Sequence, residues 1–155
     1  MQIMVDKITR QFQTGIILFG NSAPLVWYSK RQNTVESSTF RAEFVALQIT
    51  AEMINSFWYK MRMFGKPLDG PANVFCHNKA TYCNAAFVES KLKQKHNLIC
   101  FHLVREAVAA GKMVVCKVDR KENLADFLTK SVPGYRRKYL RSKIIFTEEE
   151  EGKVT

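Results

Sequence analysis

Residues 73–86, NVFCHNKATYCNAA, decide how this chain is folded. The apolar run reads as a short strand that stops at His77 and turns through Asn78 into a short helix, KATYCNAAF. A strand that passes into a helix cannot return as a hairpin and has to lie parallel to a neighbour. In an α/β sheet, groups at the carboxyl ends of strands converge on one crevice. A carboxylate is the usual occupant of such a catalytic strand end, and here the position carries a histidine.

Working outward, the segment before residue 73 changes period twice. Ile3–Val5, Thr14–Phe19 (TGIILF) and, after the turn GNSAP, Leu25–Ser29 (LVWYS) predict three strands of an antiparallel meander. From Ser38 onward Phe40, Phe44, Leu47, Ala51, Ile54 and Trp58 recur every three or four residues, the stripe of an amphipathic helix over 40–63. Ser37 or Ser38 can cap this helix and Gly65 can end it. Beyond residue 86, ESKLKQKHN is a basic connector and LICFHLVREAVAA a second long helix stopped by Gly111. The strand MVVCKV, the turn DRKEN and a helix from Leu124 follow. There are no internal repeats. The order βββ-α-β-α-α-β-α predicts one mixed sheet with helices on its faces.

Composition narrows the partners. The 155 residues suit one core that buries about two-thirds of the unfolded surface. Twenty-four Lys and Arg against fourteen Asp and Glu give a net charge of +10, which favours a polyanion such as nucleic acid. Cys76, Cys83, Cys100 and Cys116 contain no C-x-x-C pair, which speaks against a zinc site, and they lie among apolar neighbours. They suit reduced thiols in an intracellular, reducing compartment. No apolar run approaches a membrane span, and the N-terminal residues lack a signal-peptide core. The charge splits at the end of the chain: RRKYLRSK, residues 136–143, is a candidate phosphate-binding arm or a solvated helix face, whereas EEEE at 148–151 reads as a solvated end.

Three residues stand where chemistry is expected. Glu43 lies on the apolar side of the long helix, between Phe40 and Leu47, and so faces the sheet; alone it would read as a rim acid with a basic partner. His77 stands at the strand end. Asp126, in NLADFLTK, lies in the first turn of the last helix, where a lone acid favours the helix dipole. Taken together the three outline a site for a divalent metal.

Five stretches in register resemble the ribonuclease H domain at the C-terminal end of copia-type retrotransposon polyproteins. They are TRQFQTGIILF, LVWYSKRQNTVESSTFRAEFVAL, NVFCHNKATYCNA, KLKQKHNLICFHLVREAVAAGK and VDRKENLADFLTK, running from about Asp6 to Val132. The resemblance implies an α/β, RNase H-like fold with a five-stranded mixed sheet flanked by helices, over residues 1–135, followed by a charged C-terminal tail, 136–155. It implies hydrolysis of the RNA strand of an RNA–DNA hybrid by two metal ions about 4 Å apart, Mg²⁺ or Mn²⁺, held by four carboxylates. Matched one position at a time, the helix acid is Glu43 and the last acid is Asp126, the two metal ligands retained, and the fourth-strand acid falls on His77. Two alignments of the first strand stand. Matched on Thr-Arg and Thr-Gly, Asp6 is the loop acid after the strand; with a shortened hairpin, Asp6 is the catalytic acid.

A neutral imidazole offers one lone pair where a carboxylate offers two oxygens, and Mg²⁺ holds poorly to it. The expected protein is therefore a copia-derived RNase H-like domain with impaired catalysis, a weak or dead nuclease that takes Mg²⁺ or Mn²⁺ if active and otherwise no cofactor, retained as a nucleic-acid-binding or structural module. The alternatives are an active hybrid nuclease completed by Asp6, and a subunit of a larger ribonucleoprotein or protein complex without nucleic-acid contact. Lys95, Arg105, Arg136, Arg137 and Lys138 are the candidate contacts to RNA–DNA hybrid or RNA.

Overall fold

The structure is a computed structural model that describes residues 2–5, 12–33, 39–87, 98–129 and 131–145. Strand β1 (Gln2–Val5) pairs antiparallel with β2 (Phe12–Gly20), and β2 pairs antiparallel with β3 (Ala23–Arg31). The β2–β3 connection is two residues long, and Asn21 (φ 48°) and Ser22 (φ 69°) are both left-handed. That is the backbone of a type I′ turn, whose twist matches that of the flanking strands.

The long helix expected at 40–63 is α1, Thr39–Met63. Ala42, Phe44, Ala46, Leu47, Ala51 and Ile54 are buried, while Phe40 and Trp58 pack against the core from its margin. Gly65 (φ 70°) closes the helix: its amide donates to the Arg62 carbonyl and the Lys66 amide reaches back to Met61, at 3.0 and 2.9 Å. This double closure needs a left-handed residue, which glycine supplies without a side-chain clash. The expected serine cap of α1 lies outside the described residues.

Strand β4 (Ala72–Cys76) runs into α2 (Lys79–Ala86), and α3 (Leu98–Ala109) leads to β5 (Met113–Lys117), which pairs parallel with β4. Asn78 caps α2 by accepting from the amides of Ala80 and Thr81 at 3.0 and 3.2 Å. Helices α1 and α3 share the core, with the rings of Phe44 and Phe101 5.8 Å apart. No helix among the described residues is long and apolar enough to cross a membrane.

Two expectations need correction. The fold is mixed α/β, but its strands form two sheets, β1-β2-β3 and β4-β5, and not one five-stranded sheet. Among the described residues β1 pairs with β2 from Gln2 opposite Gly15 to Val5 opposite Phe12. Backbone hydrogen bonds link adjacent strands about 4.8 Å apart. On the side of β2 away from β3, no strand among the described residues lies beside Ile16–Gly20, and none of them joins β2 to β4. The helix expected from Leu124 is also interrupted: α4 is Asp126–Thr129, and α5 (Gly134–Ile144) begins after Pro133. Proline biases the residue before it away from helical backbone and cannot donate into a preceding turn. The first half of the expected tail is therefore helical, with Leu140 fully buried, and the boundary placed at 135 falls inside α5.

Candidate functional site

Glu43 owes its place to α1 and to the residue that locks the start of that helix. The Gln32 amide donates to Thr14 Oγ1 at 2.9 Å and to the Ala42 carbonyl at 3.0 Å, while its backbone N–H donates to Phe12 at 2.7 Å. These buried bonds tie β2, the end of β3 and the first turn of α1 together. Glu43 is then carried into the core, where its side chain is 3% exposed.

Two groups from the end of β4 meet this carboxylate. Strand alternation sends Val74 and Cys76 inward, and the Cys76 thiol donates to Glu43 Oε2 at 3.6 Å. Burial, with the negative charge of Glu43 adding to it, pushes the Cys76 thiol up to about 12. His77, the next residue, sets Nδ1 3.6 Å from Glu43 Oε1. The same nitrogen lies 3.5 Å from the side-chain amide of Asn123, so its tautomer decides whether it donates to the acid or accepts from the amide.

Asn123 links this cluster to the last acid. Its side-chain oxygen accepts from the Ala125 amide at 3.2 Å, and its carbonyl accepts from the Asp126 amide at 3.2 Å. Helix α4 sits tight on β2: a β-carbon at Gly15 would collide with Thr129 and lie 3.1 Å from the Ala125 carbonyl. Asp126 is buried, and Arg136 of α5 reaches to 3.4 Å from its Oδ2 while donating to the carbonyls of Arg120 and Lys121 at 3.1 and 3.2 Å.

Glu43, His77 and Asp126 thus come from the three elements that the sequence singled out, and their neighbours meet through Asn123. The donor set does not suit a pair of hard dications. Glu43 faces a thiol and an imidazole, and Asp126 faces a guanidinium; among the described residues no three acidic, histidine or cysteine side chains form a metal-ligating group. Asp6 lies outside the described residues, as does Lys95.

The remaining basic candidates divide. Arg105 stacks over the Phe101 ring, 5.1 Å from its centroid. Arg136 is turned inward onto Asp126. Arg137 and Lys138 are exposed, as are Arg141 and Lys143 of the same helix, and Tyr135 and Tyr139 stand exposed among them. Sequence reasoning missed Cys76 and Asn123 as members of the site, and it named Arg136 only as a nucleic-acid contact and not as the partner of Asp126. The inward alternation of β4 could have pointed to Cys76. Nothing local marks Arg136, whose position depends on the turn at Pro133.

The chain is 30% identical over 141 residues, 90% of its length, to a retrovirus-related Pol polyprotein from transposon RE1 of Arabidopsis thaliana. It is 30% identical over 118 residues, 75% of its length, to one from transposon RE2 of the same plant. Over 130 residues, 83% of its length, it is 31% identical to one from transposon TNT 1-94 of Nicotiana tabacum. The aligned segments make up 10%, 8% and 10% of these relatives, so the chain spans about a tenth of their length. No family model and no solved structure matches it. These similarities support a retrotransposon-derived region related to copia-type Pol polyproteins.

Proposed function

We propose that the chain is the RNase H-like region of a copia-type polyprotein in which metal-dependent cleavage has been lost, and that it acts inside the cell as a nucleic-acid-binding module. One observation carries this reading: both site acids are engaged by groups of the chain itself, Glu43 by Cys76 and His77, and Asp126 by Arg136. A carboxylate held by an internal cation has less charge to offer a dication. The exposed cations of α5, interleaved with Tyr135 and Tyr139, supply phosphate contacts and stacking surfaces. The net charge of +10 acts in the same direction.

The test is incubation of the chain with a labelled RNA–DNA hybrid. With Mg²⁺, the expected outcome is no cleavage above a buffer control together with binding that weakens steeply as salt rises. His77→Asp restores an oxygen ligand at the strand end; it gains activity if Asp6 is the first-strand acid and stays inactive if Asp6 is a loop residue. Robust Mg²⁺-dependent cleavage by the unaltered chain overturns the loss of catalysis. Absence of hybrid and RNA binding at low salt overturns the binding role.

A further inference from the structure

Three oxygens converge on one nitrogen where α5 meets the turn that follows β5. Nη2 of Arg136 lies 3.1 Å from the carbonyl oxygen of Arg120, 3.2 Å from that of Lys121 and 3.4 Å from Oδ2 of Asp126. Residues Arg120–Glu122 form a short 3₁₀ turn, and the last carbonyls of a helical turn have no donor within it. Asp126 brings a full negative charge to the same point from α4, with its side chain 4% exposed. The NH₂ end of a guanidinium has two hydrogens to give, so three acceptors around it cannot each receive a well-aligned bond. The oxygens outnumber what one amino group satisfies.

We infer that these three oxygens form a cage for a hard cation, that the guanidinium of Arg136 is its resident occupant, and that α5 is the strap that keeps a free dication out. Backbone carbonyls and a carboxylate are the donor types that Ca²⁺ takes. A buried carboxylate without a counter-charge is costly, so the cage calls for a cation from some source. Arg136 supplies one from a tethered position, at high effective concentration, whereas a free ion has to shed water and arrive from dilute solution. The strap has a second fastening: Tyr139, one turn further along α5, donates to Glu122 Oε2 at 2.7 Å. Removing the guanidinium therefore leaves α5 tied to the turn and the three oxygens in place. The inference extends the reading that Asp126 is lost to a metal. Its tests need neither cleavage nor nucleic acid, so each reading can fail alone.

The test is calorimetric titration of Ca²⁺ at pH 8 into the parent chain, Arg136→Met and Arg141→Met, the last of which removes one charge from an exposed position on the same helix. Arg136→Met is expected to bind Ca²⁺ at least tenfold more tightly than the other two and to lose that gain when combined with Asp126→Asn. Equal affinities in Arg136→Met and Arg141→Met overturn the cage, as does a gain that survives Asp126→Asn. If Arg136→Met does not fold, the parent chain decides. There the side-chain N–H protons of Arg136, followed by NMR at pH 6, are expected to exchange with water at least tenfold more slowly than those of Arg141. Equal rates overturn the resident guanidinium.

Discussion

The thiol of Cys76 donates to a carboxylate in a place that excludes water, and this couples the residue to pH. Its folded value, about 12, lies above the ordinary 9.0, so the neutral thiol is the form that the fold prefers. The stability that this preference contributes is fully present below pH 9 and is lost as pH rises from 9 toward 12, at no more than about 1.4 kcal/mol per pH unit. Denaturant titrations of the parent chain and Cys76→Ala at pH 8 and pH 11 should show the stability gap between them shrinking by about 2 kcal/mol at the higher pH. A constant gap would mean that the thiol is not held neutral by the fold. The same residue shows what a sequence conveys at this scale. Glu43 and His77 could be singled out because the helical period and the strand end each leave a mark. The thiol, the second group on the same acid, was legible only as a buried apolar cysteine, because its hydrogen bond depends on how closely β4 approaches α1.

Among the elements, α1 was the most legible and the segment after residue 119 the least. A helix with one buried face repeats that face in its sequence, and the stripe from Phe40 to Trp58 did so. Phe44 is fully buried between α1 and α3, so Phe44→Ala should cost about 3–5 kcal/mol in chemical denaturation, the transfer loss plus the cavity. The join of α4 and α5 follows a different logic, because each helix is short and neither has a strong stripe. Arg136 holds them through two backbone carbonyls near residue 120 and the Asp126 carboxylate. Arg136→Ala should therefore cost about 1–2 kcal/mol, as expected for part-exposed hydrogen bonds of a charged group. It should also raise the hydrogen-exchange rate in α5 more than in α1. An Arg136→Ala variant with parent-like exchange throughout would show that the guanidinium does not fasten α5.

For the whole molecule, charge was readable from composition, whereas the division into two sheets was not. The order of strands and helices predicted one sheet, but whether β2 and β4 join depends on what lies beside β1, which no local pattern encodes. The charge carries its own expectation. Because phosphate neutralisation releases counterions, the logarithm of hybrid affinity should fall linearly with the logarithm of salt concentration. Replacing Arg137 and Lys138 together with alanine should flatten that slope by about 2. An unchanged slope would take α5 out of the contact surface. The parallel pairing of β4 with β5 has one more consequence, which concerns the order of synthesis. The β2–β3 hairpin has both of its strands in hand as soon as residue 31 is made, whereas Cys76 pairs with Lys117, 41 positions later. At about 5–20 residues per second, the apolar strand ANVFC waits roughly 2–8 s on the ribosome before its partner has been translated. Until then Val74 and Cys76, both destined for the core, lack the strand that β4 pairs with in the folded chain.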